Sequence, residues 1–175
     1  MAEVVKAAMV GDAELFEELE RVAGDELYAS GERMERIVRA AIEVKRGIVE
    51  QDMREGSIRR KLNLGHTIAH ALEKCTRSYN HGEAVAMGLV LAARLSDRVF
   101  RGDMDTPTAL EGSVAIDLCD CGLYPECPFT VEQMAEIMAK DKKAEGGKVH
   151  FVLLNEIGDV TTYALTVDEV VKLLK

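Results

Sequence analysis

Apolar residues recur at helical spacing along most of this chain. Val5, Ala8 and Met9 share one side of a three-four repeat, so residues 2–10 are predicted helical. Gly11-Asp12 interrupts the pattern, and residues 13–22 form a second short helical stretch. Ser30 stands as an N-cap before a longer stripe of Met34, Ile37, Val38, Ala41, Val44, Ile48 and Val49. That spacing predicts a helix running to about Glu55 and closed by Gly56. Residues 61–75 read as a further helix. A polar break at Ser78-Tyr79-Asn80 separates it from a helix over about Gly82 to Phe100. Ala84, Ala86, Gly88, Ala92 and Ala93 crowd that helix with small side chains, which let neighbours approach closely and place it deep in the bundle. Thr106-Pro107 supplies a cap and first turn for a helix ending near Cys121, and residues 122–129 read as a loop. Thr130 with Gln133, and Thr166 with Glu169, are capping boxes that start helices over about 130–140 and 166–174. Between them a strand-like run from Lys148 to Leu154, a turn near Ile157-Gly158-Asp159, and Val160 to Leu165 form a hairpin. The pattern is mainly α: a multi-helix bundle with one small β-hairpin near the C-terminus, in one domain over residues 1–175.

Composition narrows the function classes. At 175 residues the chain can bury a core, and 47% apolar with 30% charged residues is ordinary for a soluble globular protein. A formal net charge of −9 argues against nucleic-acid or membrane-surface binding, which needs clustered Lys and Arg. No apolar run is long enough for a bilayer and no signal-peptide layout opens the chain, so a cytoplasmic protein is expected. Cys75, Cys119, Cys121 and Cys127 contain no CxxC pair; the last three fit no common zinc spacing and read as reduced thiols. No Gly-rich phosphate loop follows a strand-like run. If a nucleotide cofactor is used, its binding fold is expected outside these residues.

Chemistry concentrates between Arg59 and Gly88, which holds His66, His70 and His81, three of the chain's four histidines. Neutral imidazole is the commonest metal ligand, and a catalytic zinc takes three protein ligands from His and carboxylate. His66 and His70, four apart, would share a helix face and could chelate; His66 and His81, on separate elements, are the other pairing. Glu3, Glu73 and Glu83 are the plausible carboxylates. Asn63, three before His66 and seven before His70, is expected on their face. Lys6, Lys45, Arg59, Lys142 and Lys143 could form an anion pocket. Lys45 interrupts the long helix beside its apolar stripe, and Arg59 follows a Gly-Ser turn from which it could grip a phosphate or carboxylate.

The segments LNLGHTIAHALE and HGEAVAMGLVLAARLS closely resemble 3-dehydroquinate synthase, within the sugar-phosphate cyclase superfamily. AEVVKAAMVGD, VKRGIVEQDMREGSIRRKLN and DKKAEGGKVHFVLLNEIG resemble further blocks of that family, in the same order. The resemblance implies the C-terminal, metal- and substrate-binding helical domain, with no cofactor-binding residues here and an N-terminal NAD-binding α/β domain outside the chain. It implies Glu3, His66 and His81 as ligands of a zinc or cobalt ion, so the His66/His70 chelate gives way. It implies His70, Lys45 and Asn63 as catalytic and Lys6, Lys45, Arg59, Asn63, His70 and Lys142 or Lys143 as substrate contacts. The implied reaction is a lyase step of the shikimate pathway to aromatic amino acids. DAHP, a seven-carbon phosphorylated keto acid, loses phosphate and closes to 3-dehydroquinate with NAD and metal. The 175 residues alone are expected to be inactive, and a homodimer is the family's common state. Small departures are Gly56-Ser57 where Gly-Gly is usual, Ala69 where Gly is common, and a shortened loop before His81. Two other readings fit the residues: another cyclase of aminocyclitol or valiolone type, or a non-catalytic metal-binding helical module. Arg59, Asn63 and the DKK block favour the dehydroquinate enzyme.

Overall fold

The computed structural model describes residues 1–22, 24–53, 58–76, 78–102, 109–123, 127, 129–140 and 147–175. Its centre is a helix, α6 (His81–Phe100), numbered in chain order after the five helices described below. Asn80 caps it by accepting the Glu83 N–H, and the Glu83 carboxylate returns to the Asn80 N–H, a reciprocal capping box. From Ala84 to Ala93 every residue is buried, and Leu95, Ser96 and Asp97 follow. Small side chains make that possible. A Cβ on Gly88 would lie 2.2 Å from the Gly65 carbonyl oxygen, so α5 (His66–Cys75) meets α6 backbone to backbone there.

The N-terminal helices wrap one flank. α1 (Ala2–Gly11) buries Val5, Ala8 and Met9 and packs against α6 and against α4 (Gly31–Gln51). Asp12 ends α1 and caps α2 (Ala13–Arg21) by accepting the Leu15 N–H at 2.9 Å. A five-residue helix, α3 (Asp25–Ala29), which the apolar pattern did not signal, buries Leu27 before α4 begins. Ser30 caps α4 as expected. The helix stops at Gln51, short of Glu55, because the Asp52 N–H reaches both Ile48 O and Val49 O and its carboxylate accepts the Arg59 N–H. Gly56 lies outside the described residues. Ile37 and Ala41 form the buried part of the α4 stripe; Val38, placed on it from sequence, is exposed, one residue too far round the helix.

The helix expected over 61–75 is two elements. Ile58–Asn63 form a 3-10 helix, and α5 begins only at His66, after Gly65 adopts φ 74°. The remaining flank comprises α7 (Ala109–Asp120), α8 (Val131–Lys140), the antiparallel pair β1 (Lys148–Glu156) and β2 (Asp159–Thr166), and α9 (Val167–Leu174). Thr106 and Pro107 lie outside the described residues, whereas the Thr130–Gln133 and Thr166–Glu169 boxes both form. Ser96 joins the hairpin to the core: its Oγ donates to Ala92 O at 2.6 Å and accepts the Leu154 N–H of β1 at 2.8 Å. The hairpin turn is tied to α1 by the Gly158 N–H on Met9 O at 3.0 Å. Among the described residues no helix is long and apolar enough to cross a membrane.

Candidate metal centre

Three helix beginnings meet at one point. Glu3 lies in the first turn of α1, His66 opens α5 and His81 opens α6. Each offers a ligand atom within 4.8 Å of the other two, and among the described residues this is the one such group of three. His66 is aimed by its own turn: Nδ1 lies 3.1 Å from Leu64 O, which can only accept, so that nitrogen carries the proton. Nε2 then keeps its lone pair, and it stands 3.5 Å from Glu3 Oε1. His81 Nδ1 lies 2.9 Å from Glu73 Oε1. Of the three carboxylates singled out from sequence, Glu3 joins the imidazoles, Glu73 holds one of them, and Glu83 is spent on the α6 cap.

The surroundings are cationic. Lys6 is 5% exposed, and its Nζ lies 3.0 Å from both Glu3 oxygens. Burial pushes the Glu3 carboxyl up, but the Lys6 hydrogen bond and the charges of Lys6, His66 and Lys45 outweigh it and hold it below its ordinary value. Burial lowers the Lys6 ammonium against the opposing pull of Glu3, and Lys45 adds to the lowering. Burial also lowers His66, helped by the Lys6 charge and against Leu64 O and Glu3, which favours the neutral ring a metal requires. Lys45 is exposed on α4, near enough for its charge to act on both Glu3 and Lys6.

His70 stands edge-on to His66 with ring centroids 5.6 Å apart, and His81 does the same at 5.5 Å. The two neighbours therefore flank His66 almost equally, yet His81 and not His70 belongs to the three-donor group. Arg59 sits half-buried in the 3-10 helix. Asn63 ends that helix and is exposed; it does not share a helix face with His66 and His70, because Gly65 breaks the period between them. Lys142 and Lys143 lie outside the described residues. Cys119 is exposed and Cys121 buried, and neither joins a metal-holding group among the described residues.

The sequence profile of the family described as 3-dehydroquinate synthase C-terminal matches residues 1–144. The chain belongs to this family. It is 37% identical over 174 residues to the 3-dehydroquinate synthase of Bacillus mycoides (strain KBAB4), covering 97% of this chain and 46% of that protein. It is 41% identical over 165 residues to the enzyme of Cereibacter sphaeroides (strain ATCC 17023), covering 89% of this chain and 43% of that one. The chain thus spans about half the length of the curated relatives it matches. Among solved structures, the 2-epi-5-epi-valiolone synthase ValA of Streptomyces hygroscopicus subsp. jinggangensis 5008, with NAD+ and Zn2+ bound, superposes with a TM-score of 0.78 at 28% identity. That match covers 99% of this chain and 48% of ValA. A 2-deoxy-scyllo-inosose synthase complexed with carbaglucose-6-phosphate, NAD+ and Co2+ superposes with a TM-score of 0.79 at 20% identity, a likeness of fold, over 99% of this chain and 50% of that one.

Members of the 3-dehydroquinate synthase C-terminal family are parts of enzymes, which raises whether this donor set suits a divalent ion. Two donors about 2.0–2.1 Å from a tetrahedral zinc lie roughly 3.3 Å apart. The His66 Nε2 to Glu3 Oε1 distance of 3.5 Å is close to that. One carboxylate and two imidazoles carry a single negative charge and leave coordination positions for a substrate oxygen. The residues fit such an ion.

Proposed function

We propose that these residues are the metal- and substrate-binding half of a 3-dehydroquinate synthase, which converts DAHP to 3-dehydroquinate with loss of phosphate. The observation that carries this is the convergence of Glu3, His66 and His81 beside the paired cations Lys6 and Lys45, in a chain of this family. The ValA neighbour, bound to NAD+ and Zn2+, supports zinc or a similar ion here and NAD in the complete enzyme. A divalent ion in this donor set would lend Lewis acidity to a substrate hydroxyl, while NAD held by residues outside this chain would take and return the hydride. Glu3, His66 and His81 would hold that ion. Lys6, Lys45 and Arg59, with Lys142 or Lys143, hold the substrate carboxylate and phosphate, and their charge stabilises phosphate as it leaves. His70 moves the proton in this reading, which its exposure beside His66 supports. Asn63 contributes a neutral hydrogen bond to a substrate hydroxyl.

The test is phosphate release by the complete protein, supplied in turn with DAHP, a seven-carbon sugar phosphate lacking the carboxylate, and a hexose phosphate. Release from DAHP alone is expected. Release from either carboxylate-free substrate and none from DAHP would replace this reading with that of a sibling cyclase, for which the valiolone-synthase likeness is the supporting observation.

A further inference from the structure

Both candidate imidazoles have Nδ1 against an acceptor that cannot donate, but the two acceptors differ in kind. For His66 it is a backbone carbonyl two residues earlier, supplied by the turn itself. For His81 it is the side chain of Glu73, eight residues earlier on another helix. Glu73 lies seven residues after His66 on α5, two helical turns along the same face. One helix therefore carries a ligand and the group that orients the next ligand, across the break at Ser78–Asn80. Glu73 does not belong to the three-donor group. His81 needs such a partner more than His66 does: its side chain is 52% exposed, whereas that of His66 is 13% exposed and held by packing. A half-exposed neutral imidazole left alone exchanges between two tautomers and several ring orientations, and the form with hydrogen on Nε2 offers no lone pair there.

We propose that Glu73 is a positioning residue of the metal centre. By accepting the Nδ1–H of His81 it holds the ring in the tautomer and orientation that present Nε2 toward Glu3 and His66. This rests on the metal-site reading above and deepens it. The carboxylate also polarises the ring and makes Nε2 a better donor, an effect worth about 10- to 100-fold in metal affinity where such partners have been removed.

The experiment compares the wild-type chain with Glu73→Ala, Glu73→Gln and His81→Ala. Cobalt binding is measured by calorimetry and by the visible cobalt spectrum; long-range nitrogen–proton NMR reads the His81 tautomer in the metal-free protein. Glu73→Ala is expected to shift His81 toward the Nε2–H tautomer and to weaken cobalt binding about 10- to 100-fold, with thermal unfolding little changed. Glu73→Gln, whose amide oxygen can still accept, is expected to recover the tautomer and part of the affinity. Cobalt binding by wild type with equal affinity and an unchanged His81 tautomer in Glu73→Ala would overturn the proposal and leave the metal site standing. So would a loss that merely tracks a lower melting temperature and that Gln does not rescue. Wild type that binds no cobalt, or that binds it unchanged in His81→Ala, would overturn the metal-site reading and the role of Glu73 with it.

Discussion

Asp117 sits on α7 with 2% of its surface exposed and an Oδ2 that has no hydrogen-bond partner among the described residues. Burial, then the nearby negative charges of Glu20 and Asp120, push its carboxyl up to about 7, from an ordinary value of 3.8. The folded state therefore holds a proton that the unfolded state releases. Stability is highest at low pH on this account, falls as pH rises from about 4, and levels off above about 7, at most about 1.4 kcal/mol per pH unit. Asp117→Asn is predicted to flatten that slope and to stabilise the protein at pH 8 more than at pH 5, as measured by urea unfolding at the two values. Nothing in the sequence flags Asp117, because its isolation comes from packing between α2 and α7. The candidate metal ligands are a different case: the cluster of His66, His70 and His81 stands out by residue type, whereas Glu3 was one of three possible carboxylates until the resemblance singled it out. Choosing His81 over His70 from residue spacing was not possible, since an i, i+4 pair looks equally competent until Gly65 and the α5–α6 crossing are known. Leu64 O and Glu73 were invisible as orienting groups for the same reason.

Two contacts on α6 separate what builds the site from what merely builds the fold. Gly88 lies where α6 touches the Gly65 carbonyl, directly before His66. Gly88→Ala would force α5 and α6 apart, with overpacking expected to cost about 1–3 kcal/mol. It should also weaken cobalt binding, because His66 and His81 ride on the two helices that move. Ser96→Ala instead leaves the Leu154 N–H of β1 buried without a partner, expected to cost about 1–3 kcal/mol. It should leave cobalt affinity unchanged in whatever fraction stays folded. Chemical unfolding together with calorimetric titration checks both variants; equal loss of affinity in the two would show that the helix contact has no special bearing on the site. Most helix starts were legible because capping is local chemistry: Ser30, Thr130 and Thr166 each do what their side chains suggest. The Asn80–Glu83 box, read from sequence only as a polar break before a helix from about Gly82, fixes the start of α6 at His81. Helix ends were less so. α4 closes on Asp52, whose carboxylate is engaged by the Arg59 N–H, a contact that exists only after the chain has turned back. The short α3 is carried by one buried Leu27, too little to register as periodicity.

Among the described residues the first, fifth and sixth helices point their beginnings at one place, and the hairpin braces α1 through Gly158, α6 through Leu154 and α5 through His150. A mainly helical bundle with a single late hairpin was readable from hydrophobic period alone; the meeting of three helix starts was not, since it depends on crossings between elements far apart in sequence. Covering about half of its relatives' length, this chain is predicted to bind cobalt or zinc by itself yet release no phosphate from DAHP, and to do so when joined with an NAD-binding half. Turnover by the purified 175-residue chain would contradict that division of labour.

The most direct measurement is a crystal of the chain grown with cobalt and recorded at the cobalt absorption edge. One strong anomalous peak is predicted about 2.0–2.2 Å from a Glu3 oxygen and from a ring nitrogen of both His66 and His81. An ordered α1 with no peak there, or with the peak held by the His66–His70 pair and Glu3 turned away, would contradict it.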